Sequence, residues 1–492
     1  MGMQAGYLIF DIGTGNARVV VAGSDGTIHA VEREDLPYKR DHHYPDSLYF
    51  EPEALWQQLK RMAKKAVELS SNVKIKAITS TSQRQGIVLF DENGNHYLGL
   101  PNIDNRGKAY EARIADLDTI YQQVGRRPTT LFSALKLTAV KHEQPDLWHR
   151  FKAFTSISDW VTYLLSGELV YEHSQATETL LYDVRKNEWS LSLCDTFGIP
   201  VDKLPPLVDS GSILGKLKPE YVSEWNLGKD VAVIVGGADT QLAIKGTNPL
   251  INDYVIVSGT TTPVTKVMDE YRFDCEQRTW TNGHVEKGQW IFETNCGVTG
   301  LNYQRLKAIF YPNEDYSVIE KEINELEDFS CIATLGSILS DEQEPLKTGG
   351  FVFETPVSHE LKRAHFALAS LGDIACSIAE NYRVLHDVTG DEPEYIWGCG
   401  GGFQSKTLRQ LLANLLQKEI RIRKGYRQSS VSGAILICNE ILGIEAAIAN
   451  DFEVTNLNED DRIAKWFEKW KWARKTLRNC KQDITQKRIK GR

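Results

Sequence analysis

The chain has 492 residues, too many for one ordinary hydrophobic core, so two domains with extensions are expected. Hydrophobic residues make up 41% and charged residues 25%, as in a typical globular protein, and the formal net charge of −9 argues against a nucleic-acid scaffold. The eight cysteines form no C-x-x-C pair and no zinc-spaced Cys/His cluster, so they read as buried small hydrophobes. The first residues carry no basic region followed by an apolar run. The apolar stretch Val431 to Ala449 is interrupted by Asn439, Glu440 and Glu445. A cytoplasmic protein that neither spans nor binds a membrane is expected.

In chain order, a short apolar strand at Tyr7 to Phe10 leads through a glycine-rich turn to a strand at Val19 to Val21. Asp25-Gly26 then turns the chain into a third strand, Thr27 to Val31. A helix is expected around Leu55 to Leu69, then a strand at Ile75 to Ser80, a polar loop, and a strand at Ile87 to Phe90. Ser158 is expected to cap a helix that Gly167 stops. The strand Val231 to Val235 ends in Gly236-Gly237-Ala238-Asp239. After it the strand–glycine turn–strand pattern returns, at Tyr254 to Val257 and Val264 to Val267. A boundary near residues 245–252 would give domains of 1–248 and 249–450. In the segment 451–492, Ile463, Trp466, Phe467, Trp470, Ala473 and Leu477 fall at helical spacing, which predicts a C-terminal helical extension with a solvated basic tail.

Four constellations carry candidate chemistry. Asp11-Ile-Gly13-Thr14-Gly15-Asn16-Ala-Arg18 can converge backbone N–H groups, two side-chain donors and a cation on an anion. Its aspartate could hold Mg²⁺ at a strand end. A polar hairpin turn is the plainer reading. The dinucleotide fingerprint does not fit, because Arg18 stands where a third glycine belongs and a strand follows instead of a helix. No G-x-x-x-x-G-K-[ST] motif occurs anywhere. The second constellation is Asp239, delivered at a strand tip behind two glycines that leave room for a ligand; a simple helix cap is its alternative. The third, Trp397-Gly-Cys-Gly400-Gly401-Gly402-Phe-Gln-Ser405, is either a close approach to a ligand or a tight strand-to-helix connection. The fourth, Gln83-Arg84-Gln85, offers multidentate hydrogen bonding to a polyhydroxylated ligand, or is a solvated loop.

Taken together and in this order, the motifs resemble those of the FGGY carbohydrate kinases, the family of glycerol, xylulose and gluconate kinases, from Asp11 to about Ala447. D-I-G-T-G looks like the first phosphate motif, S-Q-R-Q-G and Asp104-Asn-Arg106 like the polyol loops, and V-G-G-A-D-T like the catalytic-base motif. S-G-T-T looks like the second phosphate motif and G-G-G-F-Q-S like the adenosine motif. The resemblance implies an α/β fold of two ribonuclease-H-like domains of the actin/hexokinase ATPase type, with ATP and sugar in an interdomain cleft. It implies Asp239 as base and acceptor ligand, Asp11 for Mg²⁺, and phosphates held by Gly13, Thr14, Gly15, Asn16 and Arg18 with Gly259 and Thr260. It further implies adenosine flanked by Gly400, Gly401, Gly402 and Ser405, and sugar contacts from Gln83, Arg84, Gln85 and Asp104. ATP and Mg²⁺ are thus the expected cofactors and a small sugar or polyol the partner; a homodimer is compatible with all of this.

Within the family, Ile157-Ser-Asp-Trp160, Leu165-Ser-Gly-Glu168, Arg84-x-Gly86-Ile-Val-Leu and Asp239-x-Gln241 look like autoinducer-2 kinases. Gln85 and Thr261-Thr262-Pro263 depart from that subfamily on expected ligand-facing positions. Two other readings are a sugar or nucleotide sensor that has lost catalysis, and an actin-like chaperone or filament protein. The first is opposed by the presence of both Asp11 and Asp239, the second by the polar loop at Gln83 to Gln85.

Overall fold

The computed structural model describes residues 3–44, 46–342, 344–445, 451–458 and 460–489. The chain divides into two compact units. Unit 1 comprises Met1–Asn248, Met268–Ile291 and Gln428–Asn450, and unit 2 the remainder. The segment from Gln428, expected with the second domain, thus lies in unit 1. The reason is that the helix Ser429–Leu442 lays Val431, Ala434, Ile435 and Cys438 into the unit 1 core.

Unit 1 is built on a six-stranded sheet. Its strands are β1 (Gln4–Ile12), β2 (Asn16–Gly23), β3 (Ile28–Asp35), β4 (Val73–Ser82), β5 (Ile213–Lys216) and β6 (Ala232–Ala238), in the order β5-β6-β4-β1-β2-β3. β1 runs antiparallel to β2 and parallel to β4, and β4 runs parallel to β6. The period-2 geometry of β1 explains its unbroken apolar sequence. Leu8, Phe10 and Ile12 enter a core that includes Trp56 and Trp160, while Tyr7 and Ile9 enter another with Leu242 and Ile435. The amphipathic helix Pro52–Glu68 covers the first face with Leu55, Trp56, Leu59 and Met62. A third cluster underlies a small sheet in which Ile87–Phe90 pairs with His96–Leu100 and Ala153–Ser156, backed by the helix Ser133–Glu143.

Two local expectations are corrected. Ser156, not Ser158, caps the helix Ile157–Ser166, its Oγ accepting from the Asp159 N–H at 3.0 Å; Gly167 closes the helix in a left-handed conformation, as read. The strand expected to end at Val235 runs on to Ala238. Its glycines therefore serve strand packing and do not open space for a ligand. A Cβ on Gly236 would lie 2.0 Å from the Ser80 carbonyl oxygen, and one on Gly237 2.7 Å from Val285.

Unit 2 repeats the arrangement. Its strands are β7 (Tyr254–Val257), β8 (Thr261–Met268), β9 (Trp290–Val298), β10 (Tyr395–Cys399), β11 (Glu419–Arg423) and β12 (Phe452–Thr455), in the order β9-β8-β7-β10-β11-β12. Numbered by position within each unit, both sheets share the order 3-2-1-4, followed in unit 1 by its sixth strand and in unit 2 by its fifth, with the first hairpin antiparallel and the next two pairings parallel. The short echo between the two strand–turn–strand motifs therefore reflects a repeated fold. The helix Asp461–Ile489 belongs to unit 2. Trp466 lies so close to Gly372 that any Cβ there would meet its ring at 1.5 Å, and Trp470 donates its indole N–H to Asp373 at 2.9 Å. Arg474 donates to the Ser337 carbonyl at 2.6 Å and pairs with Glu342. The side chains of the basic tail from residue 480 lie outside the described residues, as do Ala446 to Asn450. Among the described residues no helix is long and apolar enough to cross a membrane. The described cysteines are free, and all except Cys275 are buried.

Candidate active site

In unit 1 the candidate residues gather at the ends of β1, β4 and β6. Asp11 and Arg18 sit opposite each other in the β1–β2 ladder, so their side chains share a face and form an ion pair. Ser430, far away in sequence, donates its hydroxyl to Asp11 Oδ2 at 2.8 Å. Arg18 thus balances Asp11 rather than standing as a free cation. In the turn, Gly13 N–H is spent on the Asn16 carbonyl at 3.0 Å, and Thr14 Oγ1 accepts from Asn102 at 2.9 Å. The N–H groups of Thr14 and Gly15 take no partner among the described residues and are free to meet an anion.

The polar loop after β4 is a buried, cross-braced structure and not a solvated one. Gln83 is fully buried and has no hydrogen-bonding capacity to spare at its amide nitrogen. That nitrogen donates to the Gly13 carbonyl (3.0 Å) and to Tyr38 Oη (2.9 Å), while its Oε1 accepts from Asn102 N–H at 2.9 Å. It fastens the β1–β2 turn to this loop. Arg84 pairs with Glu178 at 3.7 Å. Gln85 adopts φ +61° and donates its amide to Glu178. Its carbonyl accepts from Lys136 Nζ at 3.1 Å, and the same ammonium holds the Pro101 carbonyl at 2.6 Å. Burial draws the Lys136 pKa down to about 7, against the opposing pull of Asp104. Asp104 is fully buried and faces inward, accepting from Leu48 N–H at 3.1 Å and Arg106 Nε at 2.7 Å. It supports the loop from below, and no open face of it is available to a sugar.

Asp239 begins the helix Asp239–Gly246, but the capping position is Ala238 and no side chain caps this end. The carboxylate instead accepts from its neighbour Thr240 through Oδ1 (2.7 Å from N–H, 3.2 Å from the hydroxyl). Oδ2 takes no hydrogen bond among the described residues. Asp239 keeps some accessible surface while protein surrounds it on most sides. Burial raises its pKa to about 6, the Arg84 cation pulling it down and the Asp11 charge pushing it up. Such a carboxyl is ionised at neutral pH and basic enough to take a proton. The peptide before it is anchored from behind: Ala238 N–H donates to Ser174 Oγ at 3.0 Å, and Ser174 Oγ donates to Glu172 at 2.5 Å. Nearby, Asp159 is pushed up to about 7 by burial and by the Glu172 charge.

The unit 2 candidates form a second turn cluster. Gly400 has φ +92°, and a Cβ there would lie 2.4 Å from the Ser258 carbonyl oxygen. Gly402 N–H donates to that same oxygen at 3.0 Å. Gly259 N–H closes onto Thr261 at 3.0 Å, while the N–H groups of Thr260 and Gly401 remain without partners among the described residues. Ser405 caps the helix Lys406–Leu416, accepting Leu408 N–H at 3.0 Å. The tight-connection reading and the ligand-approach reading of this motif are therefore compatible: glycines let two backbone turns meet and leave amide donors at their surface.

Among the described residues no three His, Cys, Asp or Glu side chains are grouped to hold a metal. An all-protein cage does not fit. A single carboxylate, Asp11, whose Oδ2 is occupied by Ser430 and Arg18, fits the habit of Mg²⁺ carried on phosphates and touched by one or two carboxylates. Sequence reasoning missed Glu178, Lys136, Arg126, Ser430 and the Glu172–Ser174 anchor. The only available signal was charged residues set in apolar runs, such as Lys136 between Leu135 and Leu137.

Comparison with known proteins places this geometry. Residues 6–246 match the N-terminal domain of the FGGY family of carbohydrate kinases, and residues 345–439 its C-terminal domain. A Bacillus subtilis protein described as “Putative sugar kinase YoaC” is 53% identical over 473 residues, covering 96% of this chain and 97% of its own. An autoinducer-2 kinase of Enterobacter sp. is 24% identical over 481 residues, covering 93% and 89%. The crystal structure of Plasmodium falciparum glycerol kinase with ADP superposes with a TM-score of 0.83 at 18% identity, covering 97% of this chain and 99% of that one.

Proposed function

For a chain that belongs to the FGGY family of carbohydrate kinases, we propose that it transfers the γ-phosphate of ATP to a hydroxyl of a small sugar, polyol or linear hydroxyketone, with Asp239 as the base. The observation that carries this reading is the Asp239 carboxylate: uncapped, with one oxygen uncommitted, and raised to about 6 beside Arg84. Phosphoryl transfer asks for positioning and charge neutralisation more than covalent chemistry. In this reading Asp239 Oδ2 accepts the hydrogen bond of the attacking hydroxyl and then its proton as the bond to phosphorus forms. Arg84 and Gln85 hold the acceptor, and the Thr14–Gly15 and Thr260 amides receive phosphate oxygens. Gly400 to Gly402 give the adenosine a flat backbone surface. Mg²⁺ on the nucleotide, held through Asp11, would neutralise charge on the phosphates. Gln83, Asp104 and Arg18 act as supports for these groups.

The range of acceptors stays broad in this proposal because Gln85 and Thr261-Thr262-Pro263 depart from the autoinducer-2 kinase pattern. The test is ADP release with a panel of pentoses, hexoses, polyols and linear dihydroxyketones. At least one is expected to raise ADP formation tenfold or more over ATP alone, with a phosphate ester visible by ³¹P NMR. ATP turnover that ignores every member of the panel would refute the proposal.

A further inference from the structure

Glu178 is a buried carboxylate, 1% exposed, at the base of the acceptor loop. Its Oε2 accepts from Gln85 Nε2 and from Arg126 Nη1 at 2.8 Å. Among the described residues its Oε1 makes no hydrogen bond and faces the Arg84 guanidinium at 3.7 Å. Arg126 is in turn immobilised by the Val124 carbonyl (3.2 Å), the Thr281 carbonyl (3.0 Å) and Asn282. The carboxylate therefore cannot swing away from Gln85.

A carboxylate tolerates only the NH₂ side of a neighbouring amide, since an oxygen facing it would place two acceptors together. The orientation of the Gln85 amide is thus dictated and not chosen by the ligand. With one N–H of its Nε2 committed to Glu178, and its backbone carbonyl accepting from Lys136, Gln85 keeps Oε1 as the acceptor end of an amide whose orientation is fixed.

Resting on the assignment of Arg84 and Gln85 to the acceptor, we propose that Glu178 is a positioning residue that sets acceptor specificity by making Gln85 a hydrogen-bond acceptor. The site then selects a substrate bearing a hydroxyl donor at this point and discriminates against its deoxy counterpart. A hydroxyl pairs with Oε1, and a deoxy carbon leaves that oxygen unpaired. Glu178→Gln frees the amide: a second carboxamide can meet either end of Gln85, and the selection should relax.

The experiment is equilibrium binding by calorimetry, with steady-state kinetics, for the wild-type full chain, Glu178→Gln and Gln85→Met. The probes are D-xylulose, glycerol and D-gluconate, with their monodeoxy analogues. The wild type is expected to disfavour one deoxy analogue about tenfold or more, and both variants to reduce that ratio to about threefold or less with KM for ATP unchanged. If Glu178→Gln does not fold, Glu178→Asp, which keeps the charge but shortens its reach to Gln85, takes its place and should lower the ratio likewise. An unchanged ratio in the variants, or a loss accompanied by an equal rise in KM for ATP, overturns the role of Glu178 while sugar phosphorylation stands. If no probe binds the wild type, the acceptor assignment falls together with it.

Discussion

Asp239→Asn should both disable the protein and stabilise it. Burial lifts the Asp239 carboxyl from an ordinary 3.8 to about 6, so the folded state binds its proton more tightly than the unfolded state does. Between those two values folding therefore becomes less favourable as pH rises, and above about 6 the full penalty is present. The gap, at 1.36 kcal/mol per pKa unit, amounts to about 3 kcal/mol. Asparagine keeps the Oδ1 that receives Thr240 N–H and removes the charge. At pH 8 the variant is expected to melt about 3–6 °C above the wild type, and the advantage should shrink towards pH 4 as the wild-type carboxyl is protonated in both states. Turnover on the acceptor the wild type uses should fall about 10²–10⁴-fold, because asparagine cannot take the proton. Wild-type kcat should rise with pH through a value near 6 when the base ionises. Thermal melts at pH 4, 6 and 8 and ADP-release kinetics measure all three. A variant with near-wild-type turnover, or one that melts lower than the wild type at pH 8, would refute the reasoning.

Two further substitutions address the framework. Arg18→Met leaves Asp11 buried with only Ser430 as partner, and should cost about 2–3 kcal/mol by urea unfolding. Adding Asp11→Asn should recover part of that loss; a double variant less stable than Arg18→Met would contradict the pairing. Gly372→Ala places a methyl where the Trp466 ring lies, and should lower the melting temperature by about 5 °C or more, with partial recovery on adding Trp466→Leu. A Gly372→Ala chain as stable as the wild type would show that the helix Asp461–Ile489 is not seated as described.

What the sequence made legible was local. Tyr7 to Phe10 and Tyr254 to Val257 are short apolar runs ended by glycines, and the polypeptide has few other ways to satisfy such a run than a buried strand and a turn. Capping was legible only in kind: Ser156 and Ser158 can both supply a hydroxyl, and the choice follows from where Ala153–Ser156 pairs with Ile87–Phe90. The extra strand length through Gly236 and Gly237 was hidden because glycine disfavours strands on its own account. Only the Ser80 carbonyl beside Gly236 explains its presence. The partners of the candidate residues were illegible for a plainer reason. Ser430 reaches Asp11 across 419 residues, and Glu178 reaches Gln85 across 93, so no pattern in either neighbourhood announces the pairing.

The two units share the order of their first four strands and differ in what their first turns are made of. The β1–β2 turn of unit 1 is flanked by charge, with Asp11 and Arg18 opposed in the ladder and Asp239 near enough to feel the Asp11 charge. The β7–β8 turn of unit 2 carries no charged side chain; the Ser258 carbonyl meets Gly400 and accepts from Gly402 N–H, and its hydroxyl lies beside Gly402. Amides without side chains suit a ligand that never changes, since a backbone donor cannot be substituted away. Side chains such as Arg84 and Gln85 suit a ligand that does, because one replacement alters what is accepted. On the proposed assignment the nucleotide falls to the backbone cluster and the acceptor to the side-chain cluster. Acceptor choice then rests on few residues, and Glu178 reaches it from beneath without touching the ligand.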